Sequence, residues 1–284
     1  MTDRYAVFGN PVAHSRSPLI HAAFARQTAQ DLSYEAVLAP LDGFAGAIRD
    51  FVAAGGKGAN VTVPFKEEAF RLASRHSPRA LAAKAVNTLR FDADGAFGDN
   101  TDGTGLVADI RRNLGFRISG TRILLLGAGG AARGGILPLL AQGPACLVIA
   151  NRTVEKARAL REEFAGAVAT SQTSTPVPAA ALVATSFSAL AGREFDLVIN
   201  ATSAGLAGAH LDLPPGLFAP DGLAYDMAYG RGALAFLEFA RTHRASRLAD
   251  GLGMLVEQAA EAFCVWRGVR PETASVLTML RGEQ

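Results

Sequence analysis

The stretch LLLGAGGAA, residues 124–132, constrains this chain more than any other. A run of strand-forming leucines leads directly into glycines, and a helical pattern follows directly after them. Between the two, Gly127, Gly129 and Ala132 stand in GxGxxA spacing. In that setting the first glycine permits a tight turn and the second lets the backbone approach a pyrophosphate, whose negative charge the helix N-terminus favours. The spacing alone says little in a chain with 30 glycines; the strand before it and the helix after it give it meaning.

The next strand, CLVIA, ends in Asn151-Arg152-Thr153, about twenty residues on, where a unit that binds NAD usually places an acid for the ribose 2′-hydroxyl. Here the position holds arginine, a planar and permanent donor fork suited to a 2′-phosphate. An exposed arginine at a strand end is the alternative, but with the glycine turn upstream the pair points to NADP(H).

At 284 residues the chain exceeds the size of a single core, so two domains are expected. The first hundred residues alternate β and α: YAVFGN, a helix from SPLIHAAF, YEAVLA, a helix through FAGAIRDFVAAG, GANVTV, a helix from FKEEAFRLA, a short helix near RALAAKA, and AVNTLRF. That alternation requires a mostly parallel sheet with helices on its faces. A capped helix over residues 101–115 leaves this domain, and the glycine turn belongs to the second. The Ala-, Ser-, Thr- and Pro-rich segment between Ala165 and Ala191 has weak periodicity and reads in part as a surface excursion without function. Two helices, from GLGMLVEQAAEAFCVWRG and PETASVLTMLRG, close the chain.

A net charge of +2 from 28 basic and 26 acidic residues, spread along the chain, offers no basic stripe for nucleic acid or an anionic membrane. A small-molecule partner is expected. The N-terminus lacks a signal pattern, and no stretch supplies about 18 uninterrupted apolar residues. Cys146 and Cys264 sit in apolar runs without metal-ligand spacing, so neither a metal nor a disulfide is expected, and the chain reads as cytoplasmic.

Hydride transfer to a carbonyl leaves an alkoxide that needs a proton, so the first domain must supply a donor. In NVTVPFK, Lys66 follows a strand end and opens a helix, which aims it toward the cleft where strand ends converge. An exposed helix lysine paired with Glu67 or Glu68 is the competing reading. Asp102, in GDNTDGTG, sits at another element boundary and could hold the ammonium; it could equally cap the helix that follows.

The blocks GNPVAHSRSP, NVTVPFKEEA, AVNTL, GDNTDG, GAGGAARG, ANRT, INATSAG, YDMAY and DGLGMLVEQAA stand in the order and spacing of the shikimate dehydrogenase family, which this sequence resembles from about residue 5 to residue 270. The resemblance implies an α/β protein with a substrate-binding and catalytic domain, residues 1–102 plus 251–284, and an NADP-binding Rossmann domain, residues 103–250, with the C-terminal helices packing back on the first. It implies reversible NADPH-dependent reduction of 3-dehydroshikimate to shikimate.

Carried over by position, Lys66 and Asp102 become the catalytic pair, Ser15 and Ser17 hold the substrate carboxylate, and Thr62, Asn87, Tyr229 and Gln258 make further substrate contacts. The cofactor residues implied are Gly127, Ala128, Gly129, Gly130, Ala131, Asn151, Arg152, Thr153, Met227 and Gly251, with Lys156 standing where the family often has a second arginine. Lys84 departs from a glycine common before AVNTL, Pro78 from an acid in some relatives, and Ala228 from a larger residue. A quinate/shikimate dehydrogenase and a non-catalytic NADP(H)-binding regulator are the rival readings. The serine pair and Arg152 weigh against the first; Lys66 and Asp102 weigh against the second. Monomer and homodimer stay open.

Overall fold

In a computed structural model the chain divides into two units, one of residues Met1–Gly105 with Leu255–Gln284 and one of residues Leu106–Met254. The structure describes residues 2–170, 182–205 and 211–282, with the side chains of 166–170 outside that description. The core of the proposed excursion, residues 171–181, therefore lies outside the described residues.

The first unit builds on β1 (Asp3–Gly9), α1 (Ser17–Gln27), β2 (Leu32–Leu38), α2 (Phe44–Ala53), β3 (Gly56–Val61), α3 (Lys66–Leu72), β4 (Arg75–His76), α4 (Pro78–Ala83), β5 (Thr88–Asp92) and β6 (Gly95–Asp99). Its six strands lie in the order β2-β1-β3-β5-β6-β4. β1 pairs parallel with β2 and β3, whereas β5 runs antiparallel to both β3 and β6. The β5–β6 hairpin brings Asn87, just before β5, opposite the end of β6, where its N–H donates to the Asp99 carbonyl at 3.0 Å.

Aromatic packing fixes where α3 starts. Phe65 is buried and stacks on Phe44 with ring centroids 4.8 Å apart, and Phe44 in turn meets the edge of Phe8 on β1. Because Phe65 is the residue immediately before α3, its burial pins Lys66 at the first helical position. The Lys66 carbonyl also accepts the Val86 N–H at 2.9 Å, which ties this turn to the approach of β5.

α5 (Asp102–Ala108) follows β6 and passes into a single wider helical turn over Asp109–Asn113, so the expected helix over 101–115 is regular only in its first half. The second unit continues with β7 (Arg122–Leu126), α6 (Gly130–Leu140), β8 (Cys146–Ala150), α7 (Val154–Thr170), β9 (Leu182–Thr185), β10 (Phe195–Asn200), β11 (Phe218–Asp226), α8 (Leu234–Thr242) and β12 (Arg247–Ala249). The strands are parallel throughout, in the order β12-β11-β10-β7-β8-β9. From β7 the chain steps out through β8 to β9, then returns to the other side of β7 with β10. That is the order of a doubly wound dinucleotide-binding sheet, with its switch point between β7 and β10. Strands such as RILLL and FDLVIN are buried almost end to end, as parallel strands covered on both faces must be. β9 falls within the stretch between Ala165 and Ala191, where weak periodicity gave no strand: residues 182–185 pair in full register with β8 and extend the sheet.

α9 (Leu252–Arg267) and α10 (Ala274–Gly282) end the chain. Within the first unit the end of α9 packs on its sheet: Trp266 donates from Nε1 to the Leu89 carbonyl at 2.9 Å and lies 4.7 Å from the Tyr5 ring, and Arg267 bonds Asp3.

Candidate active site

Lys66 Nζ lies 2.7 Å from Asp102 Oδ2, and the two side chains are 30% and 13% exposed. The other carboxylate oxygen, Oδ1, accepts Asn87 Nδ2 at 2.8 Å. Both oxygens of Asp102 are thus taken up by side chains, and the Asp102 N–H is itself served by Asn100 Oδ1 at 3.2 Å. Asp102 is no helix cap; Lys66 is bound to it rather than to Glu67 or Glu68.

Asn87 is the hub of a buried polar cluster. Its amide nitrogen is within bonding distance of three acceptors, Asp102 Oδ1, Thr101 Oγ1 at 2.9 Å and Gln258 Oε1 at 3.1 Å, for only two hydrogens. Its oxygen accepts the Thr101 N–H and the Thr88 hydroxyl, each at 2.9 Å. Gln258 reaches the cluster from α9 because Gly105 lets α5 come close: a Cβ there would sit 2.7 Å from the Gln258 backbone nitrogen.

Behind Asn87 stands Asn60 of β3, which sequence reasoning took only as a strand residue. Its Nδ2 donates to the Asn87 carbonyl and to Thr88 Oγ1, both at 3.1 Å, while its Oδ1 accepts the Tyr34 hydroxyl at 2.7 Å and faces His21 Nε2 at 3.2 Å. Since that oxygen can only accept, Nε2 carries the hydrogen. Complete burial pushes the His21 ring down to about 3 despite the Asn60 bond, so the imidazole is neutral and stacks on Tyr34 at 4.2 Å. No motif announces this layer; its members are separated in sequence and meet only through strand register.

The other substrate-side residues predicted from sequence occupy distinct places. Ser17 opens α1 and is buried; its N–H donates to Ser15 Oγ at 3.3 Å. Thr62 follows β3, and its N–H donates to the Phe8 carbonyl at 2.9 Å. Lys66, Asp102, Asn87 and Gln258 are joined in one network, and Ser17 reaches its Asn60 layer through a side-chain hydrogen bond with Tyr34. Tyr229 belongs to the second unit, after β11.

On the second unit the glycine turn closes β7. Gly127 has φ +106°, a left-handed conformation that suits glycine, and a Cβ there would press to 3.1 Å on the Ala201 carbonyl oxygen. Gly129 and Gly130 differ: their ideal Cβ positions meet no atom within 4 Å. Nothing in the protein's own packing requires glycine there, so bare backbone over the start of the eleven-residue α6 leaves room for a group outside the protein. Ala128 and Ala131 complete this turn.

Beyond β8, Asn151 Nδ2 donates to the Thr153 carbonyl at 2.8 Å, and the Lys156 N–H donates to the same carbonyl at 3.1 Å, which shapes the start of α7. Arg152, Thr153 and Lys156 are exposed, and neither cation makes an ion pair among the described residues. The donor set fits NADP: backbone for a pyrophosphate, two uncommitted cations for a 2′-phosphate. Met227 follows β11, its N–H bonded to the Asn200 carbonyl at 2.9 Å, and the Gly251 N–H donates to the Ala228 carbonyl at 2.8 Å.

Beside Met227 sits a buried pair that sequence reasoning missed. Asn200 Nδ2 donates to Asp226 Oδ2 at 2.8 Å, and the Ala228 N–H donates to Oδ1 at 2.8 Å. Burial pushes the Asp226 carboxyl up to about 6 against the pull of those two bonds. INATSAG and YDMAY carry these residues at the ends of adjacent strands, but only the register of β10 on β11 sets Asn200 opposite Asp226.

Fold and site together define a two-unit NADP-dependent oxidoreductase, with a doubly wound cofactor sheet in one unit and, in the other, a lysine–aspartate pair at the starts of α3 and α5. Comparison with known proteins narrows this. Residues 7–89 match the shikimate dehydrogenase substrate binding domain, residues 109–206 the shikimate / quinate 5-dehydrogenase family and residues 251–278 the shikimate 5′-dehydrogenase C-terminal domain. A relative in Dechloromonas aromatica named shikimate dehydrogenase (NADP(+)) is 65% identical over 283 residues, covering 100% of this chain and 99% of its own. Among solved structures, an Ael1 enzyme from Pseudomonas putida is 48% identical with a TM-score of 0.88, covering 98% of each chain. The Thermus thermophilus shikimate 5-dehydrogenase in complex with NADP(H) and shikimate is 31% identical with a TM-score of 0.82 over 100% of both chains. The chain belongs to the shikimate dehydrogenase family.

Proposed function

We propose that this protein interconverts 3-dehydroshikimate and shikimate with NADP(H), on the route to chorismate and the aromatic amino acids, and that Lys66 and Asp102 handle the proton. The observation that carries the residue assignment is the 2.7 Å contact between Lys66 Nζ and Asp102 Oδ2, held from the far side by Asn87. NADP(H), when bound, supplies or accepts the hydride. Lys66 gives a proton to the oxygen that gains charge in reduction and takes one from the hydroxyl in oxidation, while Asp102 fixes the position of Nζ. Ser15 and Ser17 offer hydroxyls to the substrate carboxylate; Thr62, Asn87, Gln258 and Tyr229 offer polar groups to the ring hydroxyls. Residues 1–102 with 251–284 serve the substrate and residues 103–250 the cofactor, with Arg152 and Lys156 at the 2′-phosphate. The free cysteines, Cys146 and Cys264, accord with a reducing cytoplasm, and no described helix is long and apolar enough to cross a membrane.

Lys66→Ala tests the role. Turnover should fall roughly 10²- to 10⁴-fold, the usual contribution of a positioned acid–base group, while NADP(H) affinity stays near that of the wild type. Near-normal turnover in the folded variant would remove the lysine from the chemistry.

A further inference from the structure

Arg79 stands on α4 and makes no bond to Lys66, Asp102, Asn87 or Gln258, yet it is fastened to the elements that carry them. Its Nε and one terminal nitrogen grip both oxygens of Asp99, at 2.7 and 2.6 Å. The other terminal nitrogen donates to Thr104 Oγ1 at 3.0 Å and to Glu261 Oε1 at 2.9 Å. Asp99 ends β6, and its carbonyl accepts the Asn87 N–H. Thr104 is in the first turn of α5, two residues after Asp102. Glu261 lies on α9 three residues after Gln258, so it shares that residue's face of the helix.

This attachment is itself braced. Ser77 caps α4 by accepting the Ala80 N–H at 3.1 Å and donates to Asp99 Oδ1, which also takes the Asn100 N–H at 2.7 Å. Glu261 is shared with Arg270, whose second branch binds Glu257 at 2.8 Å. Burial alone would raise the Asp99 carboxyl; the bonds from Arg79, Ser77 and Asn100 hold it below the usual carboxylate range.

We infer that Arg79 is a positioning residue for the reaction: one guanidinium sets β6, α5 and α9 in the register that brings Asp102, Asn87 and Gln258 to a common point. The inference rests on the assignment of those three residues to substrate and catalysis. Its physical ground is the fork geometry: one guanidinium binds side chains of three elements at once, which a lysine ammonium cannot reproduce.

Arg79→Lys keeps the charge and loses the fork. Assayed below its melting temperature, the variant should lose about 10- to 100-fold in kcat/KM for shikimate, with KM raised and kcat lowered, because misplacing a reacting group by about 1 Å is worth up to about 100-fold. The Kd of NADP⁺ should stay unchanged. A role confined to stability would lower the melting temperature and leave both kinetic parameters intact, and that result overturns the inference, as does an equal loss of NADP⁺ binding. Thr104→Val removes one arm at constant shape and should cost roughly 2- to 10-fold in kcat/KM for shikimate. If Arg79→Lys does not fold, wild-type kinetics in Thr104→Val overturns the inference. Asp102→Asn separates the two levels: if it retains turnover, the assignment of the site fails, whereas loss there with intact Arg79→Lys fails this inference alone.

Discussion

Replacing Asp102 by asparagine asks whether the carboxylate or merely its shape matters. In the native arrangement both oxygens accept, one from Lys66 Nζ at 2.7 Å and one from Asn87 Nδ2 at 2.8 Å. An asparagine has one acceptor and one donor, so whichever way its amide turns, an NH₂ group faces either the lysine or the Asn87 amide. One bond is lost and becomes a donor–donor contact. A charge-assisted bond of this kind contributes about 1.5–3 kcal/mol, so kcat/KM should fall roughly 10- to 150-fold, and further if the proton donor is left free to wander. Stability should change by no more than about 1 kcal/mol, since Lys66 is partly exposed and such pairs are screened. That corresponds to a shift of about 2–4 °C in Tm for units of this size. The assay is steady-state turnover with shikimate and NADP⁺ beside a thermal melt of the same sample. Kinetics within threefold of wild type, roughly 0.6 kcal/mol, would refute the reasoning.

Two further outcomes follow from the second unit. Arg152→Ala should weaken NADP binding roughly 10- to 150-fold by removing a charge-assisted bond, leave NAD nearly unaffected, and shrink the wild-type preference as salt rises; equal losses for both cofactors would make Arg152 a shape residue only. For Asp226, burial raises the folded carboxyl from 3.8 to about 6, so between those pH values the folded state holds a proton that the unfolded chain has released. Its contribution to stability is full below about pH 4 and is lost as pH climbs through about 6, a change of about 3 kcal/mol. Asp226→Asn does not titrate, so denaturant unfolding should show the variant gaining on the wild type by that amount between about pH 4 and 7. A gap that does not move with pH would mean that folding does not shift the Asp226 carboxyl.

Lys66 and Asp102 could be read from sequence because each marks an element boundary, and the packing of Phe65 and the Asn100 bond show why those boundaries fall there. The glycine turn was legible for a similar reason: strand, turn and helix are contiguous. The β5–β6 hairpin was not, because DGAFGD lacks a run of β-branched residues and its turn depends on Gly95 at φ +105°. Nor was Arg79, whose partners lie 20, 25 and 182 residues away. Local pattern carries no information on such contacts until the sheet order is known. Lys84 illustrates the middle case: its place at a family glycine was visible, and the structure supplies the reason, a left-handed helix end at φ 48°.

Turnover of the purified protein with shikimate or quinate, each offered with NADP⁺ or NAD⁺, tests the proposed activity most directly. Shikimate with NADP⁺ should give the highest kcat/KM, with NAD⁺ poorer by roughly 10- to 150-fold for want of a 2′-phosphate to meet Arg152. Absence of shikimate turnover with NADP⁺, or faster oxidation of quinate with NAD⁺, would contradict it.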